Sequence, residues 1–193
     1  ENLPGYVVML DPTGGPISGA KNWTSGYMPA AYQGVTVNAS GTPILDLKNA
    51  RGMKRDEQRT MLDALGRFNN RHLSTRTDNS NLAARIASYE LAFRMQMAAP
   101  EAMDVSGESS ATRALYGLDG KTTENFGLQC LLARRFAERG VRFIQVSHAH
   151  SLPFNNEQWD QHTYLKKGHA LNVAQIDKPI AGLIKDLKSR GLL

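Results

Sequence analysis

The sequence predicts an α/β fold, a mostly parallel central sheet flanked by helices. Two passages carry this. Tyr6 to Leu10 (YVVML) is an unbroken apolar, β-branched-rich run that ends in Asp11-Pro12 and a glycine-rich turn, the pattern of a buried strand emerging into a loop. Further on, Thr122 or Thr123 opens a helix that runs to about Arg139, Gly140 stops it, and Val141 to Ser147 (VRFIQVS) alternates as a strand. Helix, glycine and strand together make the αβ half of a parallel unit, and in such sheets ligands bind beyond the carboxyl ends of the strands.

The remaining elements follow in order. Asp11 to Asn38 is dominated by glycine, proline and aromatics, including Trp23, Tyr27 and Tyr32. An irregular stretch of this length in a compact domain marks a working surface. Val35 to Val37 and Pro43 to Leu47 read as short strands. Arg55 to Leu73 places Met61, Leu62, Leu65, Phe68 and Leu73 at helical spacing. A second helix starts at Asp78 or Ser80, with Leu82, Ile86, Tyr89, Phe93 and Met97 on one stripe and Met95 near it. We read that stripe as core packing rather than a cofactor lining. Ser106 to Tyr116 carries capping residues ahead of a short helix. Tyr164 to Arg190 is a long helix with Leu165, Val173, Ile176, Ile180, Leu183, Ile184 and Leu187 as its expected buried stripe and Pro179 as a kink or break.

With 193 residues, 41% of them hydrophobic, the chain can bury one sizeable core. We therefore expect a single domain over 1–193, with a strand and aromatic loop region in 1–47, a helical region in 55–139, and a strand, a His-rich loop and a helix in 141–193. No apolar run approaches the length needed to span a bilayer. The net charge is +5 and the pI about 9.4. The basic residues are scattered over helices (Arg55, Arg59; Arg134, Arg135, Arg139; Lys185, Lys188, Arg190), which reads as solvated helix faces and argues against a nucleic-acid surface. The single cysteine, Cys130, sits in an apolar helical stretch and reads as a small buried hydrophobe. The chain opens at Glu1 with no signal pattern and closes on a glycine-stopped helix followed by two leucines, so it reads as a piece of something longer.

The densest chemistry lies between His148 and His162: His148, His150, Glu157, Asp160 and His162 within a strand-end loop. Imidazole nitrogen and carboxylate oxygen together suit zinc and similar ions, and a loop lets them converge without helical register. Asp160 and His162 point the same way if that stretch is extended. Asp160 reads equally as the N-cap of the helix beginning near Thr163. His150 is a weaker candidate, His169 a helix-surface or supporting residue, and Asp11 a turn former in Asp-Pro-Thr-Gly-Gly. Trp159 reads as a pocket wall or as a loop anchor. The chain has no P-loop, GxGxxG, HExxH, CxxC or GxSxG signature.

Several long motifs in fixed order then carry a resemblance: NLPGYVVMLDP, GAKNWTSGYMPAAYQG, ARIASYELAFRMQMAAPEAMDVSGES, TRALYGLD, FGLQCLLARRFAERGVRFIQVSH, and WDQH with DKPIAGLIKDLKSRGLL. They resemble the bacterial domain-of-unknown-function 1501 family, placed in the alkaline phosphatase and sulfatase superfamily. The resemblance implies an alkaline-phosphatase-like fold, here incomplete at both ends, and a metal-dependent hydrolase of phosphate or sulfate esters. It further implies a divalent ion, zinc or similar, an anionic small-molecule or glycan ester as substrate, and an extracytoplasmic setting. Carried over residue by residue, the W-D-x-H motif falls on Trp159, Asp160 and His162, with Asp160 and His162 as ligands and His148 as a third. Relatives supply a further acidic ligand and the nucleophile region upstream, and a G-E-F-G-R-T stretch and an Asp-His pair downstream. The resemblance therefore implies that this chain holds part of a site. The alternative is a non-catalytic domain that binds an acidic glycan or a partner protein through Trp23 to Tyr32.

Overall fold

A computed structural model describes residues 2–39, 44, 47, 52–76, 80–148 and 159–193. The chain is α/β. Strands β1 (Tyr6–Met9), β2 (Val35–Val37) and β3 (Phe143–Val146) form a parallel sheet in the order β2-β1-β3. Val7 pairs with Val35 on one side and Ile144 on the other, so β1 is the central strand. Val7, Val8 and Met9 are fully buried, which explains why this strand reads as an unbroken apolar run rather than an alternating one.

Among the described residues five helices accompany the sheet: α1 (Arg55–Leu73), α2 (Ser80–Met103), α3 (Ser110–Leu115), α4 (Glu124–Glu138) and α5 (Leu165–Ser189). Val7 and Met9 share a face and meet Met95 and Ala99 of α2 and Leu132 and Phe136 of α4 in the main core. On the opposite face, Gly34 lies so close to Val8 and Trp23 that a Cβ there would collide with both side chains. The loop between β1 and β2 holds two 3-10 turns, Gly19–Asn22 and Ala30–Tyr32. The expected strand at Pro43 to Leu47 falls mostly outside the described residues; Ile44 and Leu47 are in no strand. No described helix is long and apolar enough to cross a membrane.

Local signals set the element ends. Ser109 caps α3 by accepting the Thr112 N–H at 3.0 Å. Glu57 accepts the backbone N–H of Lys54 at the start of α1 at 3.0 Å. Gly140, with φ +81°, ends α4 in the left-handed conformation that costs glycine least.

Three expectations about helix faces change. On α1 only Leu62 is buried, and Met61, Leu65 and Phe68 are exposed. On α2 the buried residues are Phe93, Met95, Ala99 and Ala102, whereas Tyr89 and Met97 face outward. α5 differs most. Its buried residues are Gly168, Asn172, Pro179, Gly182 and Asp186; Ile176 and Leu183 of the expected stripe pack against the core around Tyr116, while Val173, Ile180 and Ile184 are exposed. The reason is close approach. The carbonyl oxygen of Leu115 occupies the place of a Cβ at Gly182, and that of Tyr116 does the same at Gly127 on α4. The end of α3 is thus wedged between two glycines, one from each long helix. Pro179 stands within an unbroken α5 and is itself buried.

The wedge is fastened by charge. Tyr116, fully buried, donates its hydroxyl to Asp186 Oδ2 at 2.9 Å. Arg134, 3% exposed, reaches Glu108 and Glu138 at 2.7 Å each and Asp186 at 3.2 Å. Arg190 closes the ring on Asp186 at 2.7 Å and Glu138 at 2.6 Å. Arg135 bonds Glu108 at 2.6 Å and caps the end of α2 through the carbonyls of Ala102 and Glu101. Arg134 therefore departs from the solvated reading: three carboxylates compensate its burial.

This cluster carries a pH dependence. Burial works to raise the Asp186 carboxyl, but the hydrogen bonds from Arg190 and Tyr116 and the nearby guanidiniums outweigh it and hold Asp186 below its ordinary value of 3.8. Glu108, also raised by burial alone, is held below 4.5 by Arg135 and Arg134. Both carboxyls are more acidic folded than unfolded. Their stabilisation is complete above the ordinary values and is lost as pH falls through them toward the depressed native ones. We expect the thermal unfolding midpoint to drop between about pH 5 and pH 3. The Glu108→Gln, Asp186→Asn double variant starts lower at pH 7 and changes less over that window. A wild-type midpoint that is flat there contradicts the assignment.

Candidate functional site

The carboxyl edge of the sheet gathers the polar residues. β1 leads into Asp11, which is 4% exposed; its Oδ1 accepts the Thr13 N–H at 2.8 Å and the Thr13 hydroxyl at 2.7 Å. Gly14 N–H returns to the Asp11 carbonyl at 3.1 Å. This is an Asx-type turn, as the sequence suggests. β3 leads through Ser147, whose N–H bonds the Met9 carbonyl at 2.9 Å, to His148. α4 begins at the same edge, and Phe126 in its first turn meets the His148 ring edge-on with centroids 5.5 Å apart.

His148 has both ring nitrogens engaged. The indole N–H of Trp159 donates to His148 Nδ1 at 3.0 Å. An indole nitrogen only donates, so Nδ1 is the acceptor and the neutral ring carries its proton on Nε2. Nε2–H in turn donates to Gln175 Oε1 on α5 at 3.3 Å, and Gln175 Nε2 donates to the Leu171 carbonyl at 3.3 Å, which keeps the amide oxygen facing His148. The tautomer follows from the donors around it.

Trp159 is held on its other side too. Its carbonyl accepts the His169 Nε2–H at 3.3 Å, and its ring lies 5.6 Å from His148 and 5.9 Å from His169. Two residues on, the Gln161 side chain fills the place of a Cβ at Gly168, so α5 receives this segment where it carries no side chain. Asp160 and His162 flank Gln161. His162 Nε2–H donates to Asp160 Oδ2 at 3.0 Å, with side chains 69% and 83% exposed respectively. The N-cap position of α5 is Tyr164, at φ 56°, and no side chain caps it, so Asp160 does not serve as the cap.

Of the expected ligands, Asp160 and His162 are brought together and His148 is brought to Trp159 instead. His150 and Glu157 lie outside the described residues. Among the described residues no three His, Cys, Asp or Glu side chains converge on one point. Sequence reasoning misses two participants. Gln175 follows Asn172 on the inward face of α5 at helical spacing, and a polar residue in that position is the signal that finds it. Phe126 stands in the sequence only as the first residue of the FGLQCLLARRF motif, with no signal that marks it as a partner of His148. Cys130 is buried as expected, and burial pushes its thiol up to about 12, which leaves it unreactive at neutral pH.

Comparison with known families decides kinship. The family described as protein of unknown function (DUF1501) matches residues 1–193. The chain belongs to the DUF1501 family. No curated protein and no solved structure matches it. Within this DUF1501 chain, the TRALYGLD motif is accounted for by packing: Tyr116 is the wedge, Gly117 turns at φ 72° beside Thr123, and Asp119 pairs with Lys178 at 3.0 Å. The WDQH motif, by contrast, leaves its last acid and imidazole in solvent.

Proposed function

We propose that this chain contributes part of the metal site of a metal-dependent hydrolase of phosphate or sulfate esters, on an alkaline-phosphatase-like fold. One observation supports the reading above all: an exposed carboxylate and imidazole, Asp160 and His162, stand 3.0 Å apart at the carboxyl edge of a parallel sheet, directly after Trp159, which is held by two hydrogen bonds. Mixed oxygen and nitrogen donors fit a zinc-like ion, and the His162 and Asp160 side chains are 69% and 83% exposed. Such an ion activates a nucleophile and stabilises charge on the transferring group. His148 joins the ion only by giving up the hydrogen bond from Trp159. The same reading takes an anionic small-molecule or glycan ester as substrate and an extracytoplasmic setting.

The test is metal analysis of the full-length protein with a screen of phosphate and sulfate esters. We expect bound zinc or a similar ion, ester hydrolysis, and a loss of at least roughly 100-fold in activity in Asp160→Ala, the upper end of what losing even a supporting partner of a metal ligand costs. A metal-free protein whose activity is indifferent to Asp160→Ala defeats the reading.

A second reading rests on the loop after β1. Tyr27, Met28 and Tyr32 are exposed there, in a chain of net charge +5. Exposed aromatic faces on a chain of net positive charge suit an acidic glycan. Tight binding of a sulfated polysaccharide by a metal-free protein, abolished by Tyr27→Ala, selects this reading over hydrolysis.

A further inference from the structure

We infer that Trp159 is a positioning residue for Asp160 and His162, and that His148 and His169 act through it rather than on an ion. This rests on the metal-site reading above and resolves the histidines within it.

The observation is a clamp with four contacts on one residue. The Trp159 indole N–H is anchored on His148, its carbonyl is anchored on His169, and its ring meets both imidazoles. His148 is itself fixed by Gln175 and by the edge of Phe126, so the indole is tied to α4, α5 and the end of β3 together. Asp160 is the next residue along the chain. Between the clamped residue and the carboxylate there remain the backbone torsions that join the two residues and the side-chain torsions of Asp160, and the seat of Gln161 over Gly168 limits the first of these. The hydrogen bond between His162 and Asp160 then restricts the rotamers of two exposed side chains. Holding ligands in one geometry is what supporting residues contribute to metal affinity, at about 10–100-fold each.

The inference separates His148 from His162. A ligand offers a lone pair to the ion, whereas His148 has spent its lone pair on the indole N–H and its proton on Gln175. What His148 must supply is an acceptor, and glutamine supplies one as well. His148→Gln thus preserves the clamp, while His148→Phe keeps a ring of similar size and loses the acceptor.

Two measurements on the full-length protein test this. The first needs no ion: the indole N–H resonance of Trp159 in proton-nitrogen NMR, identified by its absence in Trp159→Phe. We expect His148→Phe to shift it upfield and His148→Gln to restore most of the change. The second is affinity for zinc by titration calorimetry. Trp159→Phe and His148→Phe should each weaken it about 10-fold, Trp159→Ala about 100-fold, and His148→Gln should stay within about threefold of wild type. His162→Ala should cost more than any of them. A loss in His148→Gln as large as in His162→Ala makes His148 a ligand and overturns the inference. So does an indole resonance that ignores His148→Phe. Absence of zinc binding in the wild type, with the resonance behaving as expected, overturns the metal site and the role assigned to Trp159 toward it, and leaves the clamp standing as a structural feature. Thermal midpoints near wild type in the Phe variants confirm that folded protein is being compared.

Discussion

Replacing Arg134 with alanine is expected to lower the free energy of unfolding by about 3–5 kcal/mol, the cost of stripping a buried ion pair of one partner. Arg134 is 3% exposed and holds Glu108 and Asp186, whose side chains are 9% exposed, so its loss leaves two carboxylates buried without their central cation. Those two groups also fix the fold's long-range geometry. Glu108 precedes α3 and Asp186 lies near the end of α5, and Tyr116 between α4 and α5 depends on Asp186 for its hydroxyl. Arg135→Ala offers a contrast: Arg135 bonds Glu108 and the end of α2, but Arg134 continues to neutralise Glu108. We expect it to cost about 1.5–3 kcal/mol, the scale of a lost hydrogen bond to a charged group. Chemical denaturation of the two variants side by side checks the difference, and equal losses would show that the network has no centre.

The second large effect is steric. Gly127→Val and Gly182→Val each place a side chain where a backbone carbonyl oxygen of Tyr116 or Leu115 already stands. Backbone cannot swing aside as a flexible side chain does, so we expect each to cost about 3 kcal/mol or more, at or above the usual range for overpacking. Gly66 is the control. It lies inside α1 with nothing within 4 Å of an added Cβ, and Gly66→Ala should stabilise by about 0.5–1 kcal/mol through helix propensity alone. Denaturant midpoints that fall for Gly66→Ala, or that hold for Gly182→Val, would contradict the packing described.

Part of the site is legible in the order of the residues alone. Asp160 and His162 are separated by one residue, and side chains two positions apart share a side if the stretch is extended, so the spacing alone allows their pairing at 3.0 Å. The turn at Asp11 is equally local, since its carboxylate bonds the residue two ahead. The role of His148 is not legible in this way. A histidine at a strand end looks the same in sequence whether its lone pair is free or taken, and the group that takes it, the Trp159 indole, is 11 positions away across a loop. The family resemblance names the W-D-x-H motif but says nothing of what its tryptophan holds.

What the sequence by itself determined is what neighbouring residues decide among themselves. An unbroken apolar run made β1 central, capping and stop residues bounded α3 and α4, and helical periodicity set the spans of α1 and α5. Only the tertiary structure decided which face of each helix is inside. α5 turns its glycines, Pro179 and Asp186 inward and leaves Val173, Ile180 and Ile184 outside, because the backbone at Leu115 and Tyr116 comes too close for larger residues and Arg134 makes a buried carboxylate tolerable. Tyr116 and Asp186 are 70 positions apart. Periodicity ranks residues by hydrophobicity, whereas burial here is settled by closeness and by charge compensation between residues that meet only once the chain has folded.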